Sequence, residues 1–191
     1  LQVEAVTLDL FGAGTLRDLR SHLKLDAGQL RLETVEARLS GGSLRGMLQA
    51  EGTASPPRLG AELSLTDASL TDRLFDRPID LGPGRIGGEA HLSARGHSPA
   101  ALLDSLTGQI RLVGKDGVLV GLNLGSVAAA AGQTSLAASE AGLREGLAGG
   151  ATAFENLTLG VTLDNGDAQL VDTAVTLPGG GTANAEGVID L

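Results

Sequence analysis

Aliphatic residues recur at every second position through most of this chain. Only extended strands with one apolar and one polar face repeat with that period. Val6, Leu8 and Leu10 alternate with Thr7 and Asp9, and the whole stretch from Leu1 to Phe11 reads as a strand. Leu23 and Leu25 flank Lys24; after the turn Asp26-Ala27-Gly28, Leu30 and Leu32 flank Arg31, which is a hairpin pattern. The phase then shifts to Val35, Ala37 and Leu39, so a bulge is expected near Glu33-Thr34. Ser40-Gly41-Gly42 turns the chain, and Leu44, Leu48 and Ala50 then face away from Arg45, Gln49 and Glu51. Ala61, Leu63 and Leu65 repeat the pattern, as do Ala90, Leu92 and Ala94. Leu157, Leu159, Val161 and Leu163 continue it into Asn165-Gly166, a pair suited to a two-residue turn with positive φ at both positions. A return strand is expected from Asp167 to Leu177, broken by Pro178 and three glycines, and a last strand from Ala183 to Leu191.

Helical signals are few. Ser98-Pro99 places a capping hydroxyl before a proline at the first helical position and leads into a helix from Ala100 to Leu106. Ser69 to Phe75 reads as a short helical turn. The Ala-, Ser- and Gly-rich stretch from Leu122 to Leu147 reads as one or two loose helices interrupted at Gly132 and Gly142. A short internal repeat is also visible: Ser43 to Gly52 and Ser105 to Gly114 both begin S-L-x-G, alternate, and end in glycine, and Gly88 to Gly96 echoes them. Repeats of this kind point to an elongated stack of strands.

These strands have a covering problem. A sheet with one apolar face must hide it, and the short helical segments cannot cover every strand. Three arrangements meet the need: a sheet folded over itself, pairing with a neighbouring segment of a longer protein, or a trough filled by lipid chains. The apolar content is aliphatic, since aromatic residues are 2% of the chain, with no Trp or Tyr, against 42% hydrophobic overall. A smooth lining of Leu, Val and Ala suits hydrocarbon, which needs no hydrogen bonds. The expected fold is therefore mainly β: a curved, largely antiparallel sheet, as a groove or partial sandwich, with one to three short helices. Leu63, Leu65, Leu112, Leu159, Val161 and Leu163 are the candidate lipid-facing residues on its concave side.

Other functions find little to work with. The net charge of −9 opposes nucleic acid and anionic surfaces. There is no cysteine, hence no disulfide and no thiolate chemistry. Gly82-Pro83-Gly84-Arg85-Ile86-Gly87 spells G-x-G-x-x-G, but a strand pattern follows where a nucleotide site needs a helix, and Pro83 lacks an N–H for phosphate. His22 and His91 fall on the polar phase of their strands, and with His97 they show no metal-ligand spacing. Asp164, Asp167 and Asp172 lack the alternating oxygen ligands of a calcium loop. The reading is of a non-enzymatic protein with no catalytic residue, no metal, no cofactor and no nucleotide. No run of 18 apolar residues is present, and the chain opens in a strand without an initiator Met, as a piece of something longer would.

The ordered motifs carry a resemblance. Ser98 to Leu124 reads as a short helix, then S-L-T-G-Q-I-R-L, then D-G-V-L-V-G-L-N-L; Gly150 to Leu157 reads G-A-T-A-F-E-N-L. Leu163-Asp164-Asn165-Gly166, the ending Gly187-Val188-Ile189-Asp190-Leu191 and the upstream Leu39-Ser40-Gly41-Gly42-Ser43-Leu44-Arg45-Gly46 complete the set. This series resembles the AsmA family, over nearly the whole chain and in the family's order. Ser40 stands where an aromatic residue is common, and Ala151 where a polar one often precedes the threonine. The resemblance implies one β-rich periplasmic domain or segment, with a strand unit over 1–97 and the family's C-terminal motif unit over 98–191. It implies a protein anchored in the bacterial inner membrane by an N-terminal helix and related to TamB-type proteins of repeated β-groove units. The expected partners are phospholipid or membrane and envelope assembly proteins. The expected role is moving phospholipid between the membranes and influencing outer-membrane protein assembly. A protein-interaction scaffold that regulates outer-membrane protein insertion without lipid is the alternative.

Overall fold

The computed structural model describes residues 2–9, 15–71, 73 and 79–190. Among these, the alternating segments form one open antiparallel sheet of eleven strands. They are β1 (Gln2–Asp9), β2 (Thr15–Asp26), β3 (Gln29–Leu39), β4 (Gly42–Glu51), β5 (Arg58–Leu70), β6 (Asp80–Leu81), β7 (Gly84–Arg95), β8 (Thr107–Val120), β9 (Ala151–Asp164), β10 (Asp167–Thr176) and β11 (Thr182–Asp190). The order is a meander in which each strand pairs with its neighbours in sequence; β6 alone lies off the path, pairing with the end of β8. Among the described residues no second sheet stacks on the first, so the partial-sandwich alternative is not adopted and the fold is a groove.

Three tight hairpin turns follow the same chemistry. Ala27-Gly28, Ser40-Gly41 and Asn165-Gly166 all have positive φ at both central positions, the conformation whose twist matches that of the flanking strands. The expected bulge at Glu33-Thr34 is present: Thr34 has φ 55, and the β3 register shifts between Leu32 and Val35. Further bulges sit at Asp18, Asp67 and Asp172, with φ of 52, 60 and 48. Aspartate tolerates this left-handed conformation better than most residues. The three are aligned. Arg38 pairs with Ser43 and Ser43 with Thr66, which joins Asp18 to Asp67. Gly87 pairs with Val113 and Val113 with Thr158, which carries the line on to Asp172. A bulge bends its strand and increases the local twist, so a row of them bends the sheet along one line.

Register keeps the two faces chemically separate. One row of the apolar face runs Leu23-Leu32-Leu48-Ala61-Leu92-Gly108-Leu163-Ala168 across eight strands. The opposite face carries charge that alternates in sign across strands: Arg20, Glu36, Arg45, Ser64, Glu89 and Arg111 lie in one row. Lys24 pairs with Glu33 at 2.7 Å, and its hydrogen bond holds the Glu33 carboxyl below the usual range. Such exposed pairs add little stability; their effect is to keep this face wet and in register. His22 and His91 are exposed and lie on this face.

The helices are α1 (Pro99–Asp104), α2 (Leu124–Ala131) and α3 (Leu136–Leu147). Ser98 caps α1 by accepting from the Ala101 N–H at 3.2 Å. Gly132 ends α2, as expected, but Gly142 lies inside α3 and does not interrupt it. Its missing side chain is where Ala130 approaches: a Cβ there would meet the Ala130 Cβ at 2.8 Å. The helical turn expected from Ser69 is also corrected. Ser69 and Leu70 continue β5, because they pair with Arg85 and Gly84; Phe75 lies outside the described residues. Leu1, Leu10, Phe11 and Leu191, assigned to the terminal strands, lie outside them as well.

Candidate functional site

The candidate site is the apolar face itself. Besides the row already traced, Val35-Gly46-Leu63-Ala90-Ile110-Val161-Leu170 crosses seven strands, and Ala37-Leu44-Leu65-Gly88-Leu112-Leu159 crosses six. All six lipid-facing residues inferred from sequence fall on this face in adjacent rungs. Leu63 and Val161 share one row, Leu65, Leu112 and Leu159 the next, and Leu163 lies in the row toward α1. Five are half-buried; Leu163 is buried, at 6% exposure.

One part of the face is sealed. Ala68, Leu81, Ile86, Phe154, Leu157 and Val175 form a packed cluster, joined by Leu119 and by Leu124 at the start of α2. Phe154 fits over two residues without side chains: a Cβ on Gly117 would lie 2.5 Å from its ring, and one on Gly114 3.0 Å. The family-like stretch Gly150 to Phe154 thus has a structural role. The Thr152 hydroxyl donates to the Leu122 carbonyl at 2.7 Å and accepts from the Leu124 N–H at 2.9 Å. Asn123 accepts from the Ser126 N–H at 3.0 Å, capping α2. Gly121 donates to the Gly150 carbonyl at 2.8 Å. These bonds fix the α2–α3 pair to the end of β9. Thr152→Val keeps the shape but takes the hydroxyl from the half-buried Leu124 N–H and Leu122 C=O. It should lower stability by about 1–3 kcal/mol in chemical denaturation, with Thr152→Ser restoring most of the loss.

Among the described residues, the rest of the face has no layer over it. The chain exposes 11827 Å², where a globular monomer of 19.2 kDa would expose about 8,400 Å². The side of the face nearer α1 holds a concavity of about 390 Å³ lined by Leu30, Leu32, Leu48, Leu59, Ala61 and Leu92, with Leu106 at its edge. These residues belong to strands that the sequence reading recognised, but their convergence depends on pairings across β3, β4, β5 and β7. Only the alternation signalled them. No three His, Asp or Glu side chains come together among the described residues, and no described helix is long and apolar enough to cross a membrane.

Comparison with known proteins agrees with the motif order. The AsmA family profile matches residues 12–173. The chain is similar to the AsmA family protein YhjG of Escherichia coli (strain K12), with 29% identity over 119 residues, covering 58% of this chain and 17% of that protein. It therefore spans only a small part of that relative's length. No solved structure matches it. With a profile match over residues 12–173, most of its length, and with the motif residues forming the Phe154 and Thr152 contacts, the chain belongs to the AsmA family.

Proposed function

We propose that this chain is a non-enzymatic lipid-handling segment of the bacterial envelope whose apolar face shelters phospholipid acyl chains on the periplasmic side. In this reading the longer protein is anchored in the inner membrane, passes phospholipid toward the outer membrane, and influences outer-membrane protein assembly through that supply. The observation that carries it is the aliphatic face: three rows across six to eight strands, with no covering layer among the described residues beyond the Phe154 cluster. Each methylene removed from water is worth about 0.8 kcal/mol, so a single acyl chain gains enough to stay. Family membership agrees with a role in the envelope.

Native mass spectrometry and solvent extraction of the purified chain test it. Wild type should carry phospholipid. Val161→Asp, which puts a carboxylate in the middle of the face, should reduce the bound lipid about tenfold or more, because an unpaired charge against hydrocarbon is costly. Circular dichroism should show the strands intact. A wild type without lipid, or an unchanged Val161→Asp, would overturn the reading. A scaffold without lipid is favoured by one observation: an open meander leaves the outer edges of β1 and β11 without partner strands among the described residues, where a partner could add a strand. Capture of outer-membrane assembly components by a lipid-free Val161→Asp variant would support it.

A further inference from the structure

We infer that the polar face carries a site of its own: a furrow along the line of aligned bulges, from β2 to β8, that takes an acidic peptide segment in extended form. It lies on the opposite side of the sheet from the lipid face and does not depend on the lipid reading.

The furrow is two concavities that abut. One, of about 380 Å³, is built around the Asp18 bulge by Arg20, Glu36, Arg38, Ser43 and Arg45. The other, of about 580 Å³, is built around the Asp67 bulge by Ser64, Thr66, Arg85, Glu89, Arg111 and Lys115. Ser43 pairs with Thr66 and Arg45 with Ser64, so the first runs into the second. Gly87, opposite Val113, has no side chain to fill the floor.

Charge decides the occupant. Six cations line the two concavities against four carboxylates. Three of those carboxylates are already engaged: Asp18 with Arg38 at 3.9 Å, Glu36 with Arg45 at 3.8 Å, and Asp67 with Arg85. Among the described residues, Arg20, Arg111 and Lys115 make no ion pair, and Glu89 is the one lining carboxylate left over. This local excess of positive charge sits in a chain of net charge −9 whose negative charge is concentrated elsewhere. No Lys or Arg follows Arg144, while seven Asp and Glu side chains run from Glu145 to Asp190.

Shape decides the occupant's form. Arg20 and Arg111 stand in one row, five strand spacings apart, which is about 24 Å. A single phosphate needs its cations gathered at one point; an extended peptide of about seven residues spans such a row. Val113, 45% exposed in the furrow, offers a peptide side chain an apolar contact on an otherwise charged surface. A single-stranded nucleic acid or a sugar chain would be held by stacking on aromatic rings, and the chain has no Trp or Tyr.

Fluorescence anisotropy tests this with the purified chain and a labelled heptapeptide that alternates glutamate with valine, in about 20 mM salt, where exposed charges are weakly screened. The peptide should bind saturably, one per chain, and its lysine counterpart should not. The double variant Arg111→Glu, Lys115→Glu should weaken binding about tenfold or more, and Glu89→Gln should tighten it about threefold. All three positions are exposed, so the fold should hold, with circular dichroism as the check. Arg144→Glu on α3, where the side chain is 83% exposed, and Val161→Asp on the lipid face should each leave binding unchanged. No saturable binding, or equal binding of the lysine peptide, would overturn the proposal. A loss at Arg144→Glu as large as that of the double variant would mean diffuse attraction and overturn the furrow. Inorganic phosphate that displaces the peptide mole for mole would overturn the extended occupant, and binding of heparin without the peptide would replace the peptide with an acidic glycan.

Discussion

Phe154→Ala should unfold this protein's packed end at a cost of about 3–5 kcal/mol, the range for removing a buried phenylalanine from a core. The residue is 4% exposed and occupies the space over Gly114 and Gly117. Those glycines cannot refill the cavity, because they have no side chains to move, and β8, which carries both, is paired with β7 on one side and β9 on the other. The loss should approach the upper part of the range. It should also spread: Thr152, two residues earlier on β9, holds the start of α2, so the α2–α3 pair should exchange its amides faster. Since domains are stable by only about 5–15 kcal/mol, the denaturation midpoint should fall far enough to be unmistakable, with Phe154→Leu recovering part of it. A shift under 1 kcal/mol would mean that the Phe154 cluster is not the main packed core.

Gly108→Ala should be nearly as damaging as Gly108→Val. Gly108 has φ 142, and any Cβ placed on it would collide with the His91 carbonyl oxygen of the neighbouring strand. The first added carbon does the harm, so the size of the side chain beyond it matters little. An unfavourable backbone conformation costs about 1–2 kcal/mol, and forced overpacking about 1–3 kcal/mol. A combined loss of about 2–5 kcal/mol would separate β7 from β8 along Leu92-Gly108, the pairing that joins the two halves of the meander. Gly187, with nothing within 4 Å of its Cβ position, is the control: Gly187→Ala should change stability by less than about 0.5 kcal/mol. Equal effects at both positions would show that strand approach at Gly108 is looser than the geometry requires.

The strand positions, the hairpin turns and the bulge at Thr34 were legible in the sequence because each is a local decision. Alternation is read two residues at a time, Asn165-Gly166 prescribes its own turn, and the phase slip between Leu32 and Val35 marks an extra residue wherever the strand ends up. The segments misread were those in which a partner overruled local preference. Ser69-Leu70 became strand because β7 pairs with it. Gly142 stayed helical because Ala130 needed the space. The bulges at Asp67 and Asp172 gave no signal of their own, since an aspartate in a strand reads as a solvated residue.

The sequence by itself determined that this chain makes many strands with one greasy face and too little helix to cover it, because side-chain alternation and hydrophobic content are properties of the chain alone. Which leucines meet was decided only by tertiary structure. Leu48 and Leu92 lie 44 positions apart and share a row solely through Ala61 between them. Register across four strands, and the bend imposed by aligned bulges, turned an alternating pattern into one sealed end and one open groove.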